Sequence, residues 1–305
     1  MKCFEVKSFE EYMNVLSVVN SNNKLWYRGQ SVAKYRLVPG VLRNAVAVTD
    51  WAGRNIEPEK INFSNARGEK VYYPNCWKIL SEYKKAIEPI LEVKPQNDLS
   101  WLCLSQHYGI PTPLLDWSTD SLVALFFAVD GVKLECDSNH YDLDEDIDDW
   151  GEDNYRLEFR RDCAAVYVID PLYLNEAISF KNKKSRILDI YNDSNIIDRL
   201  MDSHMQLPFC IAGEKNDRRI CRQSGNFTVH SHLTLPIDYI EYFRKEMIKI
   251  VIPYKYVDSF KKTLKIMDLT KESIYFGEDD KDIKAKELSD KFIDNFKNEF
   301  SGVFE

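Results

Sequence analysis

Apolar residues recur at helical intervals near the start of the chain. Tyr12, Met13, Leu16 and Val19 fall on one face behind the capping-box spacing of Ser8 to Glu11, which predicts a helix from about Phe9 to Val19. The pattern then shifts to a short apolar and aromatic run, Lys24 to Gly29, which reads as a strand carrying Arg28 at its end. Residues 44–74 show poor periodicity and several Gly and Pro positions, so an irregular or partly helical excursion is expected there. Trp77, Leu80, Tyr83, Ile87, Ile90 and Leu91 make the next helical face, ending before Pro95. Asn97 or Asp98 can cap a further helix, whose last turn carries Gln106, His107 and Tyr108 before Gly109 stops it.

Pro111 and Pro113 then predict a turn, followed by a helix over Ser121 to Val129 that is apolar almost all round and therefore buried, with Thr119 or Asp120 as its cap. Strands are expected over Ala164 to Asp170, Pro208 to Ala212 and Met247 to Ile252, and a strand kinked at Gly225 over Arg219 to His230. Helices are expected over Ile196 to Met201, Ile237 to Arg244, Tyr256 to Ile266 and about Asp280 to Phe300. This irregular alternation, without repeats or low-complexity linkers, predicts a single α+β domain over 1–305, with a mixed, mostly antiparallel sheet flanked by helices.

Composition sharpens the picture in one place. The net charge of -8 comes from 49 acidic and 41 basic residues, and much of the excess falls between Asp137 and Asp153. That stretch lacks a sustained apolar period, so residues 133–162 read as an acidic surface insertion, and 137–153 as a possible contact for a protein partner. Bulk charge disfavours non-specific nucleic-acid binding. The 44% hydrophobic content supports a real core, yet no run approaches the roughly 18 apolar residues of a membrane span. Seven dispersed cysteines without a C-x-x-C pair fit reduced thiols and a cytoplasmic location.

Polar residues collect where a plain core would be apolar. Tyr27-Arg28-Gly29-Gln30 is the first cluster; His107, Thr112, Asp116, Ser118 and Thr119 form the second; Gln223 to Thr228 forms the third. A guanidinium at a strand end can pair with an anion, and the start of the apolar helix favours a carboxylate or phosphate nearby. Each residue also has a plainer role. Arg28 can tie a strand to a turn through Asp116, His107 can cap carbonyls, and Gln223 can satisfy a strand edge. His230 and His232 share a strand face, but two histidines without a third ligand do not make a metal site, and no metal is expected. The alternating aspartates at 142–148 lack the Gly and closing Glu of a calcium loop.

Those clusters, in that order, resemble the FRG domain family, named for a motif that here reads Tyr27-Arg28-Gly29. The resemblance extends through Leu37-Val38-Pro39-Gly40, Ser105 to Thr112, Leu114 to Ser118, Ala124 to Ala128, Gln223 to Thr228 and Ser273 to Asp279. Pro113 stands where the family usually has Arg, and Ser118 where Thr is common. The resemblance implies an ADP-ribosyltransferase-like core, by analogy, and NAD as a possible substrate. On it, Arg28 takes the first position of the site, Ser118 and Thr119 lie near the second, and Gln223 holds the third.

Chemistry then assigns expected roles. Arg28, Gln30, Thr112, Trp117, Ser118 and Thr119 would hold the nucleotide, with Arg28 on its phosphates and a tryptophan or Tyr108 stacked on a ring. Asp116, Gln223 and His107 are the expected catalytic residues. An amide cannot act as a base, so transfer chemistry needs Asp116, Glu82 or His107 in that role. The family resemblance also fits a toxin or anti-phage effector, while the missing Glu at position 223 leaves open a nucleotide-binding or sensing module without turnover.

Overall fold

The computed structural model describes residues 1–19, 24–42, 76–91, 94–132, 162–177, 186–193, 195, 208–213, 225–230, 236–274 and 280–296. They form one α+β domain around a mixed eight-stranded sheet. Its strands are β1 (Lys2–Glu5), β2 (Trp26–Gln30), β3 (Leu114–Ser118), β4 (Cys163–Ile169), β5 (Leu188–Asp189), β6 (Phe209–Ala212), β7 (Gly225–Val229) and β8 (Ile248–Pro253). The spatial order is β1-β8-β4-β2-β3-β7-β6-β5. Only the two outer pairs, β1 with β8 and β6 with β5, run parallel; every inner pair is antiparallel.

The helices are α1 (Phe9–Val19), α2 (Cys76–Ile87), α3 (Asp98–His107), α4 (Ser121–Asp130), α5 (Pro171–Glu176), α6 (Glu241–Glu246), α7 (Tyr254–Ile266), α8 (Lys271–Ile274) and α9 (Asp280–Phe296). On one face of the central strands, α1, α4 and α7 bury Tyr12, Leu125, Val129, Val257 and Phe260 against Tyr27, Val166, Val168 and Ile250. The opposite face packs Trp26, Leu115, Trp117, Ala165, Tyr167 and Val251 under Leu174 of α5 and Phe243 of α6. Toward the β5 edge, Leu99, Leu102 and Cys103 of α3 cover Leu114, Ile211, Phe227 and Val229.

Local chemistry explains the elements around the site. Asn97 caps α3 through the Ser100 N–H, and Gly109 just past its end adopts φ +84°, which glycine enters without steric cost. Asp120 caps α4 by accepting from the Leu122 and Val123 N–H groups. Gly29 permits a very close approach in the core: a Cβ there would lie 1.9 Å from the Ala124 carbonyl oxygen and 2.5 Å from the Ala128 nitrogen. The backbone of α4 therefore rests directly on β2.

Several boundaries move relative to the sequence reading, and one element changes type. The turn expected before α4 contains β3, a strand in the interior of the sheet. Pro111 and Pro113 precede its ladder to β7, which leaves them outside the pairing, while Leu115 and Trp117 alternate with Asp116 and Ser118 as a strand requires. The helix expected from Ile237 is a 3-10 turn, Ile237–Tyr239, followed by α6. Strand β1 and helix α5 add elements that the apolar pattern had not signalled. The excursion at 44–74, the acidic stretch at 137–153, the helix expected at 196–201 and Gln223 lie outside the described residues.

Candidate functional site

Strands β2 and β3 share a single register pair, Tyr27 with Ser118. Beyond it the ladder stops, and Arg28 takes over the connection. Its Nη1 donates to the Asp116 main-chain carbonyl at 2.8 Å and lies 3.6 Å from Asp116 Oδ2. The carbonyl contact is the firmer of the two. A charge-assisted hydrogen bond contributes about 1.5–3 kcal/mol, whereas an ion pair to a carboxylate as open as that of Asp116, 60% exposed, contributes about 1 kcal/mol or less. Arg28 itself is largely covered.

The Asp116 carboxylate is held from the other side by α3. Gln106 Nε2 donates to Asp116 Oδ1 at 2.6 Å, and the Gln106 carbonyl oxygen accepts from the Thr112 hydroxyl. Thr112 in turn accepts the Leu114 N–H at 3.2 Å. Buried Thr112 thus fixes which end of the Gln106 amide faces Asp116, and one hydrogen-bond donor, Gln106, and one nearby cation, Arg28, flank the exposed carboxylate. The segment Leu37 to Gly40 closes onto the same turn, with the Val41 N–H directed at the Thr112 carbonyl at 3.4 Å and Gly40 against Pro111.

The remaining expected site residues take separate positions. Gln30 is buried at the end of β2; its Nε2 donates to the Arg36 carbonyl, and its Oε1 has no hydrogen-bond partner among the described residues. Ser118 accepts the Asp120 N–H at 2.9 Å and so helps shape the start of α4. Thr119 is exposed beside it. His107 ends α3 with its ring edge-on to Tyr108, 4.8 Å between centroids. Trp117 lies in the core on the sheet face that carries Leu115, not at the surface. The convergence of Arg28 with Asp116 comes with Gln106 and Thr112; Gln223 cannot be placed relative to them.

Two polar residues on β7 and just after it escaped the sequence reading as site members. Trp117 Nε1 donates to Thr228 Oγ1 at 3.1 Å, and Thr228 Oγ1 lies 3.0 Å from His230 Nε2. His230 is buried, and its main-chain N–H bonds to the Pro113 carbonyl at 2.9 Å. Burial, reinforced by the positive charge of Arg28, lowers the His230 pKa from 6.5 to about 3, so the ring is neutral at physiological pH. The i, i+2 spacing with His232 had drawn attention to metal chemistry. Among the described residues no group of three His, Cys, Asp or Glu is arranged to hold an ion.

Among the described residues no helix is long and apolar enough to cross a membrane. No curated protein and no solved structure matches the chain. The FRG domain family does match, over residues 23–135, which takes in β2, the Leu37 to Gly40 segment, α3, β3 and α4. Arg28, Gln106, Thr112 and Asp116 all lie inside that stretch, and the contacts among them explain why motifs far apart in sequence belong together. On this match residues 23–135 carry an FRG domain.

Proposed function

We propose that the splay between β2 and β3 is the site of an NAD-using enzyme of ADP-ribosyltransferase type. The observation that carries this reading is an exposed Asp116 carboxylate flanked by both Arg28 and Gln106. Cleavage of the nicotinamide–ribose bond sends its electron pair to the departing nicotinamide and leaves positive charge on the ribose C1′. A fixed carboxylate beside that carbon stabilises the oxocarbenium-like state. A lone pair of the acceptor, water or a macromolecular nucleophile, then forms the new bond to C1′, and Asp116 takes the proton that the acceptor gives up. Arg28 supplies positive charge for the pyrophosphate.

Incubation of the full chain with NAD, followed by chromatography for nicotinamide and labelling for transferred ADP-ribose, tests the reading. Wild type is expected to release nicotinamide, and Asp116→Asn to lower that rate by about 10²-fold or more, the scale of losing one electrostatic contact to the transition state. Absence of release by wild type would contradict it. The amide at Gln223 favours a second reading, a nucleotide-binding or sensing module without turnover. In that case NAD binds and remains intact. A toxin or anti-phage role follows only if cells expressing the active chain lose NAD while those with Asp116→Asn do not.

A further inference from the structure

The Trp117, Thr228 and His230 chain sits on the same sheet face from which Arg28 leaves β2. Trp26 packs on the face that holds Leu115 and Trp117, and Arg28 alternates with Tyr27, which points to the α4 side. Thr228 pairs with Leu115 across the β3–β7 ladder and so shares that face; His230, two residues on, does too. His230 also lies opposite Pro113, at the end of β3 toward which the gap beyond the Tyr27 to Ser118 pair opens.

Donor counting narrows the choice. The indole of Trp117 can only donate, so Thr228 Oγ1 accepts from it and keeps its proton for His230 Nε2, the arrangement on which the inference below is built. A neutral imidazole that accepts at Nε2 carries its proton at Nδ1. Nδ1 is buried and has no hydrogen-bond partner among the described residues. An N–H held in place by a buried relay and left without an acceptor costs about 1–3 kcal/mol of desolvation. Such a cost is recovered when an acceptor arrives.

We infer that His230 Nδ1–H is a ligand contact, donating to a phosphoryl oxygen of the nucleotide whose charge Arg28 also faces. Trp117 and Thr228 act as positioning residues that hold the ring in the donating tautomer. The assignment rests on the reading that a nucleotide occupies the splay, and it adds a contact from a strand outside the region that carries the family match. It makes the phosphate site a composite of β2, β3 and the end of β7.

Inorganic pyrophosphate is a suitable probe, followed by nitrogen NMR of the full chain labelled at histidine and by calorimetry. His230→Gln keeps an amide near the Nε2 position and loses the Nδ1 donor, whereas His230→Asn retains a donor near Nδ1. Expected are a shift of His230 Nδ1 on adding pyrophosphate, binding about tenfold weaker in His230→Gln, and near-normal binding in His230→Asn, tenfold being the loss of one good hydrogen bond. Pyrophosphate binding that leaves His230 Nδ1 unmoved overturns the inference while the nucleotide reading stands. NAD binding without pyrophosphate binding overturns it equally. Failure of both ligands to bind wild type overturns the inference and the nucleotide reading together.

Discussion

Arg28 donates to the main-chain carbonyl of Asp116, 88 residues later in the chain, at the point where pairing between β2 and β3 ends. Contacts from this side chain to the Asp116 carbonyl and carboxylate join the two strands where the ladder does not. A largely covered guanidinium and an exposed carboxylate thus lie side by side between two interior strands of the sheet, and the proposed function rests on that pair.

The glycine of the Tyr27-Arg28-Gly29 motif serves packing. Gly29→Ala would drive a Cβ into the backbone of α4 at Ala124 and Ala128, which no rotamer change relieves. The expected cost is about 3 kcal/mol or more, the upper end for overpacking a core, because helix and strand must separate. Urea unfolding with an unchanged slope measures it. A midpoint equal to wild type would show that α4 does not rest on β2 as described.

The segment between β2 and Leu37 is fastened by buried charge. Asp238 accepts from the Leu37 N–H at 3.0 Å and from Arg36 at 3.2 Å, and Arg36 stacks on the Tyr239 ring. Asp238→Ala leaves a buried N–H and a partly covered guanidinium without their acceptor, at an expected cost of about 3 kcal/mol. Thermal unfolding measures the loss. A change below about 0.5 kcal/mol, the range of ordinary surface substitutions, would contradict the clamp.

His230 gives the fold an acid sensitivity with a defined sign. Its folded pKa of about 3 lies below the ordinary 6.5, because burial and then Arg28 oppose protonation. Between those values the unfolded chain binds a proton that the folded chain does not. The contribution of neutral His230 is therefore complete above pH 6.5 and falls as the pH drops toward 3, by at most about 1.4 kcal/mol per pH unit. Stability of wild type and His230→Gln, measured by urea unfolding from pH 7 to pH 4, isolates this slope. Parallel curves for the two proteins would refute it.

Much of the scaffold was legible because its signals are local. Asn97, Asp120 and Gly109 mark the ends of α3 and α4 by chemistry contained within a few residues, and the apolar runs of β4 and β8 state their burial directly. Strand β3 was misread because its flanking prolines and its polar Asp116 and Ser118 imitate a turn; only pairing with β7 reveals the alternation. Arg28, Thr112 and Asp116 could be nominated from their residue types. Gln106 could not, since its role depends on the turn at Gly109 returning the chain so that Thr112 and Asp116 meet the last turn of α3. Thr228 and His230 were hidden for a related reason. Their link to Trp117 crosses 111 residues and is set by strand register, which residue types do not display.

Calorimetric titration of NAD into the full chain, wild type against Arg28→Gln, addresses the guanidinium directly, with circular dichroism to confirm that both are folded. The expected result is binding by wild type that weakens at least about tenfold in the variant, the loss of a charge-assisted contact to phosphate. Equal binding by the two folded proteins, or no binding by wild type, would contradict the assignment of the β2–β3 splay as a nucleotide site.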